Sequence, residues 1–127
     1  MLDVLETGTE ALLRSDLFLL ELVKSPHIVA VMESESFRVY NQSCARYLGA
    51  IARARCVVDG DVRDKLIEAQ DSVVEMSKAA KDAGGATGTP AQSEKLGTFG
   101  GLLEDARFTQ NAFMVEAITY LHEKRTG

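Results

Sequence analysis

From Val62 to Ala80 the apolar residues Val62, Leu66, Ala69, Val73, Met76 and Ala80 recur at spacings of 4, 3, 4, 3 and 4. A strand alternates its side chains every two residues, so this pattern excludes one. It is the seam by which helices pack side by side in left-handed bundles. A helix with such a seam needs neighbours, and the remainder of the chain must supply them. An acidic stripe, Asp61, Asp64, Glu68, Asp71 and Glu75, runs beside it.

Three further helices are predicted. Thr7-Gly8-Thr9-Glu10 matches a capping box, which starts the first helix at about Thr7 and carries it to Lys24. Its leucines form two stripes, Leu12/Leu19/Leu22 and Leu13/Leu17/Leu20, more apolar arc than one core contact requires. Ser25-Pro26 stops that helix and starts the next, because Pro26 has no amide proton to lose at a first helical position and Ser25 is a good N-cap. The second helix is predicted to run to Cys56. Met32, Val39, Tyr40, Tyr47, Leu48 and Ile51 form its apolar half, and Gly49 within it marks a bend or a tight crossing. Asp59-Gly60-Asp61 reads as a turn and cap before the third helix.

Residues 84–101 hold six of the ten glycines with Pro90, Ser93 and three threonines. That composition buries too little apolar surface to offset its ordering entropy, and it predicts a long flexible loop. The last helix is expected from about Gly101, with Phe99, Leu103, Ala106, Phe113, Ala117 and Tyr120 as its seam and Gln110 interrupting it. Helix-forming residues dominate these segments and no alternating β-branched run is present, so the expectation is an all-α, antiparallel bundle of four main helices forming a single domain over residues 1–127.

The charge is unevenly placed. The chain carries a net −5, yet residues 36–58 contain Arg38, Arg46, Arg53 and Arg55 and no acid, leaving ten Lys/Arg against nineteen Asp/Glu elsewhere. The chain therefore divides into a +4 segment and a −9 remainder. Arg38, Asn41, Gln42, Arg46 and Arg53 share the polar side of the second helix, with Arg55 near its end. Guanidinium groups offer planar, bidentate donor forks to phosphates, and Asn41 and Gln42 add neutral donors. The same arginines could instead pair with Asp64, Glu68 and Asp71 of the third helix.

Chemistry is thinly represented. His27 and His122 are the two histidines, each at a helix end where a structural role suffices. Cys44 and Cys56 lie about 18 Å apart on one helix, too far to pair, and neither has a histidine near it in sequence. The glycine-rich segment lacks the Gly-Lys-Ser/Thr ending of a phosphate loop. No apolar run approaches the length of a membrane span, and a reducing, cytoplasmic setting is expected. These observations predict a non-catalytic helical interaction subunit of a larger assembly, without a cofactor. Its partners are other protein subunits, with nucleic-acid backbone or an acidic protein surface on the arginine face and self-association through Leu13, Leu17 and Leu20. The alternative, from a different class, is a metal-dependent all-α nucleotide hydrolase that holds its ions with Asp61, Asp64, Glu68 and Asp71, whose i, i+3 and i+4 spacing lines carboxylates along one helix. Glu33-Glu35 or Glu104-Asp105 would have to supply its second acidic wall. In architecture alone the chain is similar to the small helical subunits of RNA-guided defence complexes, and no motif carries that likeness.

Overall fold

The computed structural model describes residues 2–24 and 34–126, with side chains to Lys124. It is an all-α bundle of four helices: α1 (Leu2–Lys24), α2 (Glu35–Arg55), α3 (Gly60–Gly85) and α4 (Gln92–Thr126), with no strand among the described residues. The Ser25-Pro26 junction, His27, Met32 and Glu33 lie outside the described residues.

Helix α1 begins earlier than its sequence suggests. Thr7 and Thr9 are not caps: they sit in the helix interior, where their hydroxyls donate to the carbonyls of Asp3 (2.6 Å) and Leu5 (2.9 Å). Of the residues α1 buries, Val4, Gly8, Ala11, Ser15, Phe18 and Leu22 follow the same 4-3 alternation as α3, with Leu12 beside them, and they begin before Thr7. Burial from Val4 onward therefore carries the helix through the local capping pattern at Thr7. The first described cap is at α2, where Ser34 has extended backbone and its side chain accepts from the amide of Phe37 at 3.1 Å.

The expected long loop before the last helix is corrected to a short turn. Helix α3 continues to Gly85 and α4 starts at Gln92, leaving 86–91 between them. Ala86 caps α3 through its amide to the Asp82 carbonyl, Gly88 takes the positive φ of 80° that the turn requires, and the Thr89 hydroxyl donates to the Ala86 carbonyl at 2.6 Å. Residues 92–101 are helical because Phe99 is fully buried, with Leu96 and Leu102 packed against the core, while the glycines of this stretch fall elsewhere on the helix.

All four helices feed one core. The expected α3 seam is buried throughout, and α4 buries Phe99, Leu103, Ala106, Gln110, Phe113 and Ala117. An aromatic cluster joins three helices: Phe18 stacks on Tyr40 at 5.1 Å between centroids and meets Phe37 at 5.5 Å and Phe99 at 6.1 Å. Arg53 near the end of α2 reaches Asp3 at the start of α1, whereas Phe37 at the start of α2 meets Phe18 toward the end of α1. Arg107 of α4 donates to Asp16 of α1 and to Glu104 of its own helix, both at 2.6 Å. The tight crossing expected at Gly49 is found instead at Gly8. A Cβ at Gly49 would meet only Arg53 of its own helix, whereas one at Gly8 would lie 2.6 Å from the Gln110 side chain.

Candidate functional site

On α2 the outer face carries Arg38, Asn41, Gln42, Arg46 and Arg53, all exposed. Arg55 does not join them: it is half-buried, and its Nη1 donates to Gln70 Oε1 on α3 at 2.8 Å. Arg38 pairs with Glu35 at 3.3 Å and Arg53 with Asp3 at 3.2 Å, and the bond from Arg53 is the main reason the Asp3 carboxyl is held below its ordinary range. Arg46 lines a shallow cleft of about 130 Å³ with Glu6, Thr7, Glu10 and Ser43. The arginine-rich segment contains no acid in sequence, but the fold lays Asp3, Glu6 and Glu10 of α1 along one edge of it. These acids, rather than Asp64, Glu68 and Asp71 of α3, are the ones brought beside the arginines.

The α3 stripe faces solvent, with Asp61, Asp64, Glu68 and Asp71 all exposed and Glu68 3.4 Å from Lys65. Asp61 enters a cleft. That cleft, of about 680 Å³ between the start of α3 and the end of α4, is also walled by Asp59, Glu116, Glu123 and Tyr120. Glu116 and Glu123 are thus the carboxylates that face Asp61. Glu104, put forward from sequence for that second wall, is held by Arg107 instead. Among the described residues no group of three or more His, Cys, Asp or Glu side chains is clustered closely enough to hold a metal ion. Cys44 is buried among Ser15, Tyr40 and Ser77, and burial pushes its thiol up; Cys56 is exposed, and both are free.

Apolar surface is the third feature. Nine of the ten large apolar side chains exposed among the described residues sit on α1 and α4. On α1, Leu12 and Leu22 turn into the core, while Leu13, Leu17 and Leu20 remain 50%, 47% and 47% exposed. On α4 the exposed side chains are Phe108, Val115, Ile118 and Leu121. At 100° per residue the α1 leucines lie on the side of α1 opposite its buried stripe, and Phe108 and Val115 lie on the side of α4 opposite its own. Leu13 borders a groove between α1 and α4 with Asp16, Arg107 and Met114, whereas Leu17 borders one between α1 and α2 with Glu35 and Val39.

Sequence reading located the α1 half of this surface and missed the α4 half. The missed signal is that α4 is apolar along two opposite sides, so no single amphipathic face stands out. No helix among the described residues is long and apolar enough to cross a membrane. The chain matches no protein-family model, no curated protein and no solved structure.

Proposed function

We propose that this chain is a non-catalytic helical interaction subunit of a larger assembly. The observation that carries this reading is the exposure of Leu13, Leu17 and Leu20 on the outer side of α1 and of Phe108, Val115 and Ile118 on α4. A helix pair that leaves this much apolar surface to water resembles the anchor region of a protein contact, where aromatic and aliphatic side chains carry most of the binding energy. The outer face of α2 is the second contact. Arg38, Asn41, Gln42, Arg46 and Arg53 present donors suited to nucleic-acid backbone or to an acidic protein surface. The acids of α1 beside them make this contact one that acts inside an assembly, where the apolar face supplies the holding energy.

Two measurements test the reading. Native purification of the tagged chain is expected to bring down stoichiometric partners or further copies of itself, and Leu17→Glu with Leu20→Glu is expected to release them without loss of helicity. For the arginine face, affinity for RNA or DNA is expected to fall steeply between low and moderate salt, and Arg46→Ala to flatten that slope. An isolated monomer that recovers no partner overturns the proposal. Absence of nucleic-acid binding at low salt, alone or in the assembly, removes that half of it.

A further inference from the structure

Helix α4 carries a second 4-3 alternation, offset from its buried seam: Gly97, Gly101, Glu104, Phe108, Asn111, Val115, Ile118 and His122. All eight positions are exposed. Nothing within the chain accounts for the two glycines, since a Cβ at Gly97 or Gly101 would meet no atom within 4 Å. Each costs the helix about 1 kcal/mol relative to alanine. Nor does the chain account for Phe108, Val115 and Ile118, which remain 75%, 64% and 60% exposed. One half of the row is therefore recessed and the other half is bulky.

We propose that α4 packs against α4 of a second copy running in the opposite direction, about a two-fold axis beside Phe108. This rests on the reading of the chain as an interaction subunit and names the occupant of its apolar face. In the opposite direction each bulky position meets a recessed one: Val115 sits over the partner's Gly101 and Ile118 over the partner's Gly97, while Phe108 meets its own mate. Two copies running the same way would set glycine on glycine and isoleucine on isoleucine, leaving one end of the seam open and the other overfilled. The polar positions agree with the opposite direction too. Glu104 falls level with the partner's Asn111, whose amide can donate to the carboxylate, and Glu94 falls level with the partner's His122.

A closed two-fold contact uses the same patch on both copies, as a self-complementary row requires.

The test is the mass of the full chain by sedimentation equilibrium, together with its helicity and melting temperature. The expected result is twice the 13.8 kDa monomer at micromolar concentration. Phe108→Glu is expected to weaken the dimer by about thirtyfold or more, the effect of losing a central anchor. Gly101→Met is expected to weaken it comparably while leaving helicity unchanged, because the added side chain enters open space in the monomer and fills the recess in the dimer. In a Cys56→Ser background, Phe108→Cys is expected to form a covalent dimer under mild oxidation. A monomer at every concentration overturns the pairing. So does a dimer that survives both Phe108→Glu and Gly101→Met. If Leu17→Glu with Leu20→Glu dissociates that surviving dimer, the interaction reading stands and only the α4 pairing fails. If the chain is monomeric and recovers no partner, both fail.

Discussion

Gly8 of α1 lies so close to Tyr47 of α2 that a Cβ on Gly8 would stand 2.9 Å from the tyrosine ring. On its other side the same Cβ would stand 2.6 Å from the amide nitrogen of Gln110 on α4. Three helices converge on a position that only a hydrogen can occupy. Gly8→Ala is expected to destabilise the protein by about 1–3 kcal/mol through overpacking, despite the better helix propensity of alanine. Denaturant unfolding checks this. A Gly8→Ala protein of equal or greater stability would show that Gln110 and Tyr47 move aside freely.

The Tyr47 hydroxyl is buried and makes no hydrogen bond among the described residues. Tyr47→Phe keeps the ring and removes the unsatisfied group, so stability is expected to hold or to rise by about 1 kcal/mol. A fall of several kcal/mol would mean that the hydroxyl has a partner.

Alkaline stability follows from the same burial. It pushes the Tyr47 hydroxyl from its ordinary 10.0 up to about 12, and burial raises Tyr40 as well. The folded protein keeps these protons at a pH where the unfolded chain has released them. The stabilisation is thus present in full below pH 10 and is lost as pH rises from there through the folded value. Tyrosinate absorbance from these two residues is expected to appear together with loss of helicity in circular dichroism, and Tyr47→Phe is expected to move the alkaline midpoint upward. Ionisation of both tyrosines with the helices intact would contradict this.

Val73 sits in the middle of the α3 seam and is 1% exposed. Val73→Asp is expected to cost several kcal/mol, because an unpaired carboxylate would be taken out of water. Ser72→Asp, one position away and half-exposed, is expected to stay within about 0.5 kcal/mol. Equal melting temperatures for the two variants would remove Val73 from the core.

Arg107 holds Asp16 of α1 and Glu104 of α4 at once, and its bond to Asp16 is the chief cause that raises its own ionisation further. All three side chains touch solvent, so a double-mutant cycle on Arg107 and Asp16 is expected to return only about 0.2–1 kcal/mol, and less in high salt. A coupling of several kcal/mol would identify a buried pair.

The helical class and the α3 seam were legible because period and burial agree at every step from Val62 to Ala80. The α4 seam was legible from Phe99 to Ala117 for the same reason. Local signals did worse where long-range packing overrode them. The capping pattern at Thr7 was outweighed by Val4, whose burial continues the helix toward Leu2. The glycines at 97, 100 and 101 pointed to a loop, but Phe99 among them is fully buried and keeps that turn helical. On the surface, Leu13, Leu17 and Leu20 stood out because they share one stripe of a short helix. Asp3 and Glu10 beside the arginines could not be found by scanning along α2, since the chain brings them there from α1.

The turn of residues 86–91 also bears on the order of folding. It joins α3 to α4, the most extensively packed pair among the described helices. Closing so short a connection takes on the order of 10–100 ns. If the α3–α4 pair forms early, truncations at Val73 and Phe113 are expected to slow folding, whereas truncations at Val4 and Leu22 are expected mainly to speed unfolding, and rates from stopped-flow refolding check this.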